Sequence, residues 1–391
     1  MDTSFFRRFD FSTFRRLATS MTIRERILAV YRRETPDAVP CMLDLSHWFY
    51  HRHRRPWDLS QTYETPEQEL IDYHKTMGVG FYLPNLASIY SVSYPPDVRA
   101  AVVKTSDGSA ITWTLETPLG TIARTRRWEP GNYAWGVAEW GVKTEHDLRI
   151  LSYALGDRTY TPLWDRYQAW VDAVGETGVV YVPFGYSAMG SLLNLWMGVE
   201  RTLYAVWDWP ETLHEVVDRI NRNNLACVDL LTDGPASIII MGDNFSSDVQ
   251  PPHFFAEWSR PFYLEAVRRL HGAGKYVAVH IDGRLRGALG MIRDTGADCG
   301  DAITPAPMGD LTPLQCRDEA GPDFILSGGV PPNLWLPEVD VEVFRKAVLN
   351  WLELKRISPR LILAAGDQVP PGAEEDRIKI ARDLAEQYGR Y

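Results

Sequence analysis

The stretch Val277-Ala278-Val279-His280-Ile281-Asp282-Gly283 is an apolar run that ends in His-x-Asp. Side chains alternate faces along a strand, so His280 and Asp282 are expected to point one way at the end of a buried strand while Ile281 points back. Two further runs finish in a carboxylate in the same manner, Ser237-Ile238-Ile239-Ile240-Met241-Gly242-Asp243 and Leu361-Ile362-Leu363-Ala364-Ala365-Gly366-Asp367. Three strands that deliver acids and an imidazole at their C-terminal ends suggest one shared site. Each carboxylate taken alone could instead cap the loop or helix that follows it.

Outward from these runs, the chain alternates apolar, β-branched segments with helical ones. Strands are expected at Val39–Leu45, Gly78–Leu83, Val179–Val182, Ile238–Met241, Tyr276–Val279, Asp298–Ile303, Phe324–Leu326 and Leu361–Ala364. Helical stretches such as Pro210–Leu231 and Phe254–His271 lie between them. Eight strands separated by helices, apolar on both faces, predict a single α/β unit, a (β/α)8 TIM barrel with its catalytic groups at the C-terminal strand ends. A doubly wound open sheet is the other arrangement, but no GxGxxG or P-loop follows a strand. Residues 21–34 open the unit as a helix, with Thr22 and Glu25 in capping-box spacing. The segment 89–128 alternates Thr, Val, Trp and Arg around Asp107-Gly108, which predicts a β-rich hairpin insertion. Residues 1–20 interleave phenylalanine with arginine and read as an N-terminal arm that packs or lies on a partner or a membrane surface.

Composition narrows the partners. A net charge of −10 over 391 residues gives no concentrated basic surface, which argues against nucleic acid. The basic run His51-Arg52-His53-Arg54-Arg55 reads as a solvated loop. No run approaches the roughly 20 apolar residues that span a bilayer. Four cysteines without CxxC spacing predict a reduced, cytoplasmic setting. A homodimer is the default assembly.

In order, the predicted strand ends offer Asp44 and His47, Asn85, Tyr186, Asp243 and Asn244, His280 and Asp282, Asp301, Gly328 and Gly329, and Asp367 and Gln368. Crowded carboxylates raise one another's pKa, and a cation relieves that repulsion. His280, Asp282 and Asp367 are therefore expected to meet at one divalent ion at about 2.0–2.2 Å, as zinc ligands do. Asp243, Asp301 and Asp44 are the candidate catalytic acids and bases. Tyr186, Asn244, Gly328 and Gly329 are the candidate contacts for a cofactor.

Several segments resemble the uroporphyrinogen decarboxylase superfamily, and within it the corrinoid-dependent methyltransferases. They are Arg24-Glu25-Arg26 through Pro36-Asp37-Ala38-Val39-Pro40, Thr117-Pro118-Leu119-Gly120-Thr121, Thr304 through Asp310, Ser327-Gly328-Gly329 and Glu386-Gln387-Tyr388-Gly389. The likeness spans residues 21–391 and implies one barrel with its pocket at the C-terminal rim. It further implies a zinc site from an H-x-C pair and a later cysteine, positions held here by His280, Asp282 and Asp367. Carboxylates in place of thiolates favour a harder ion, zinc, iron or manganese, and an oxygen-linked methyl donor. The chain has no DxHxxG cobalamin motif, so the corrinoid is expected on a separate protein. The arginine-rich pattern of the decarboxylase branch is missing after Val39-Pro40. Two other readings stand beside methyl transfer: a metal-independent decarboxylase or lyase of the same superfamily, and a non-catalytic barrel that binds a small molecule.

Overall fold

Thr22 caps the first helix, Ile23–Tyr31, and shares a reciprocal capping box with Glu25. The computed structural model describes residues 20–55 and 57–391. Apart from Ser20, the arm expected at 1–20 lies outside them. The strands are β1 (Tyr90–Ser93), β2 (Arg99–Lys104), β3 (Ala110–Thr117), β4 (Gly120–Glu129), β5 (Ala134–Glu139), β6 (Thr159–Pro162), β7 (Val182–Gly185), β8 (Ile238–Phe245), β9 (Tyr276–Ile281), β10 (Cys299–Ile303), β11 (Ile325–Val330) and β12 (Leu361–Ala365).

Strands β7 to β12 form one parallel sheet in chain order, with helices in the crossovers. Its residues are apolar on both faces because both are covered. Val277, Val279 and Ile281 of β9 pack with the helical residues Tyr263, Val267 and Leu270. Ala278 points the other way, into a cluster with Ile240, Cys299, Ile325, Ile362 and Tyr181. His280 shares that inner face, two residues further on.

The expected first two strands are not ladder strands. Segments 39–45 and 78–83 touch their neighbours through isolated parallel bridges, Cys41 with Leu363, Met42 with Gly80, and Phe81 with Gly178. Pro40 has no N–H and only accepts, from Leu363 at 3.0 Å, and the chain turns at Asp44 into the helix Ser46–Arg52. The stretch Phe254–His271 is likewise two helices, Pro252–Trp258 and Arg260–Gly272. Pro261 cannot continue the first helix, so it begins the second.

Strands β2 to β5 form a separate antiparallel meander, with Asp107-Gly108 at the first turn and Gly108 at φ 71°. The β-structure runs past Trp128 to Glu139. One face of β3 and β4 packs through Leu115 and Ile122 on the segment after β7, at Leu192, Leu193 and Trp196. The meander is latched by side chains that meet backbone carbonyls. Arg126 reaches Asn194 O at 3.2 Å, Tyr133 reaches Tyr50 O at 3.1 Å, Trp135 reaches Trp57 O at 2.5 Å, and a ring nitrogen of His47 meets Tyr133 O at 2.8 Å. The meander thus reaches from the segment after β7 to the helix that follows residues 40–43, both beyond C-terminal strand ends.

Candidate active site

Parallel pairing places Asp301 of β10 directly beside His280 of β9, so their side chains share a face. Nδ1 of His280 lies 3.2 Å from Oδ2 of Asp301, and Ser327 of β11 donates to Oδ1 at 3.3 Å. An imidazole, a carboxylate and a hydroxyl are thus joined across three adjacent strands. Ala302 follows with φ 62°, in the left-handed region that a residue with a Cβ seldom adopts, and the β10–β11 register shifts there. Strained backbone beside a buried acid is a mark of functional sites.

Burial would lower the pKa of His280, but the Asp301 bond and the charges of Asp367, Asp301 and Asp282 outweigh it and push the imidazole up to about 9. At neutral pH it is therefore an imidazolium. Nδ1–H points to Asp301, and Nε2–H makes no hydrogen bond among the described residues. Asp367 follows β12 after Gly366, where a Cβ would lie 2.3 Å from Thr304 Oγ1, so only glycine lets these segments meet. Burial raises the Asp367 carboxyl, as do Asp282 and Asp44, while His280 and the Gln368 amide pull it down. The acid, the imidazole and Asp282 therefore lie within electrostatic reach of one another.

Three ligands do not meet, however. Among the described residues no group of three or more His, Cys, Asp or Glu side chains is gathered as a metal site. His280, Asp282 and Asp367, expected to meet at one ion, are thus not preassembled as a ligand set. Strand β9 ends at Ile281, and Gly283 turns away at φ 85°, so Asp282 stands exposed beyond the strand rather than beside His280. Soft thiolates are not at hand either. All four cysteines are buried, and burial pushes the thiols of Cys41, Cys227 and Cys316 up to about 12.

The other candidates divide. Asp44 accepts from Ser46 N at 2.9 Å, Asn85 at 3.0 Å and Gln368 at 3.2 Å, a knot at the start of the Ser46 helix that ties three strand-end segments. Asp243 is 1% exposed and accepts from Ser187 N at 2.7 Å, Ser187 Oγ at 2.5 Å and Tyr263 at 2.8 Å. Both acids are occupied by protein donors. Asn244 is exposed at φ 47°, a conformation asparagine tolerates. Gly328 and Gly329 serve packing: a Cβ would meet Ile303 O at 2.2 Å and the Trp351 ring at 2.3 Å respectively.

Tyr186, half-buried after β7, feels burial and Asp243 first, then Arg126 and Arg124 of β4, then Asp282. Those two arginines were not singled out in the sequence. The signal lay in Ile122-x-Arg124-x-Arg126, which puts both on the face of Ile122.

The sequence profile of uroporphyrinogen decarboxylase (URO-D) matches residues 186–388, more than half of the chain. The chain belongs to the URO-D family. Among solved structures, this URO-D protein is similar to a methyltransferase from Methanosarcina mazei at 15% identity, over 94% of this chain and 99% of that one, with a TM-score of 0.60. That likeness is one of fold. Two 3-dehydroquinate dehydratases align only loosely. The type I enzyme from Clostridium difficile does so at 11% identity and TM-score 0.25, over 50% of this chain and 80% of that one. The enzyme from Geobacillus kaustophilus does so at 13% and 0.27, over 66% and 96%. No curated protein matches the chain. Among the described residues no helix is long and apolar enough to cross a membrane.

Proposed function

We propose that this URO-D family chain is a methyltransferase, in which bridged segments 40–43 and 79–82 complete an eight-stranded barrel and His280 with Asp301 forms the acid of its rim. The methyl group passes from a small oxygen-linked donor to a corrinoid carried by a separate protein. The observation that carries the reading is the His280–Asp301 pair at 3.2 Å on neighbouring strand ends, with Nε2–H unbonded among the described residues. When bound, the corrinoid supplies the nucleophile that takes the methyl group. The oxygen left behind needs a proton, and His280 supplies it from Nε2 while Asp301 holds the ring and its charge. Asp367 and Asp282 keep the imidazole protonated before the transfer. Zinc, iron or manganese would suit the donor types of His280, Asp282 and Asp367, but these do not form a preassembled set, so no step is assigned to a metal.

The test is methyl transfer from methyl ethers to reduced free cobalamin by the purified chain. His280→Ala and Asp301→Ala should each cost about 10²-fold or more in kcat, the usual scale for a general acid and its support. A wild-type chain that transfers no methyl group but releases carbon dioxide from a carboxylic acid would favour the lyase reading. Elemental analysis of chelator-free protein examines the metal separately: stoichiometric metal that is lost in Asp367→Ala would transfer the role of the acid to an ion.

A further inference from the structure

The meander buries two arginines where a sheet over a core would place apolar residues. On β3 and β4 the pairs Leu115 with Ile122, Trp113 with Arg124, and Ile111 with Arg126 share one face. Ile111, Leu115 and Ile122 on that face are at most 3% exposed. Arg124 and Arg126 are partly buried two residues apart, and no carboxylate among the described residues is within salt-bridge distance of either. Burial, reinforced by the like charge of Arg126, pulls Arg124 down to about 10. Its guanidinium lies over Trp113 at 4.3 Å and Trp196 at 5.2 Å, and its buried Nε has no hydrogen-bond partner. Arg126 is held by the carbonyls of Trp135 and Asn194, both at 3.2 Å.

Two like charges withdrawn from water without a counter-ion are costly, and the cost persists in a fold when a ligand offsets it. Arg126 donates to Asn194 O at 3.2 Å, and the Asn194 amide donates to the Asp243 carbonyl near the end of β8 at 2.9 Å, so the pair adjoins the rim that carries His280. We infer that Arg124 and Arg126 form an anion subsite that holds a carboxylate of the methyl donor, with Arg124 as the bidentate partner and Trp113, Trp196 and Tyr186 as the apolar surround. Arg126 is fixed by two carbonyls and supplies charge, whereas the fork of Arg124 is free for a planar carboxylate. This names the substrate class within the methyl-transfer reading and rests on that reading for the rim, while binding alone tests it.

The experiment is calorimetric titration of the purified chain with 4-methoxybenzoate and methoxyacetate, with neutral anisole, and with inorganic phosphate. At least one carboxylate should bind, anisole tenfold or more weakly. Arg124→Gln should lose tenfold or more of carboxylate affinity and leave anisole unchanged. Arg124→Met, which removes an uncompensated charge, should not lower the thermal midpoint without ligand, whereas a purely structural arginine would. The subsite is overturned if carboxylate and anisole bind alike, if neither carboxylate binds, if phosphate binds more tightly than both, or if Arg124→Gln keeps full carboxylate affinity. Carboxylate binding without methyl transfer upholds the subsite and sinks the methyltransferase reading; transfer from neutral ethers alone does the reverse.

Discussion

A methyl group at position 328 would sit 2.2 Å from the carbonyl oxygen of Ile303 and 2.6 Å from its nitrogen, both main-chain atoms of the neighbouring strand. Backbone cannot swing aside as a side chain can, so Gly328→Ala should destabilise the fold by about 2–3 kcal/mol, read as a lower urea midpoint with unchanged slope. The sequence alone offers Gly328 and Gly329 equally well as cofactor contacts. A glycine pair at a strand end looks alike in sequence whether it faces a ligand, a strand or an indole ring. His280 and Asp301 were legible because their positions at the ends of apolar runs set their direction. Asp282 was misjudged by one residue: the strand stops before it. Arg124 and Arg126 passed unread because arginines alternating with threonine look like a solvated strand until Ile122 shows which face is inward.

Among the elements, β8 is anchored by Asp243, which gathers Ser187 from the segment after β7 and Tyr263 from the helix Arg260–Gly272. Burial raises this carboxyl and its three donors lower it. Asp243→Ala leaves those donors without an acceptor and should cost about 3 kcal/mol, measured by chemical denaturation. Asp243→Asn keeps the shape and should cost less. If Asp243→Asn keeps its stability yet abolishes methyl transfer, the acid belongs to the chemistry after all. Long apolar runs made β8, β9 and β12 legible, since residues buried on both faces leave a continuous signal. Segments 39–45 and 78–83 have the same composition but meet each neighbouring strand segment through only two or three backbone bonds, and the number of pairings is decided by tertiary context. The helix break at Ser259 was visible in Pro261, yet the apolar spacing on either side continues and masked it.

For the molecule as a whole, stability should carry a pH dependence from Glu67. Burial pushes its carboxyl up to about 7, aided by Asp44 and opposed by the bond from Tyr50. The unfolded chain releases this proton near pH 4.3. Between these values the native state holds more protons than the unfolded one, so stability is full below about pH 4 and falls as pH rises through 7. Glu67→Gln should flatten that slope in unfolding curves taken from pH 4.5 to 7.5 and compared pH by pH with the parent chain, so that the contributions of Asp243, Asp367, His280 and His74, common to both, cancel. The overall α/β order was legible from the rhythm of strands and helices, and the alternation around Asp107-Gly108 also pointed to an insertion over one end of the sheet, but not to the contacts that hold the meander there. Its latches join residues far apart in sequence, such as Arg126 and Asn194. The meander is also a separate sheet, sharing no ladder with β7–β12. Reactivity and recognition are therefore lodged in different pieces of backbone. Substitutions among the outer strands can change which molecules are admitted without disturbing the His280–Asp301 pairing, so new specificities are reachable by drift in one layer while selection holds the other fixed.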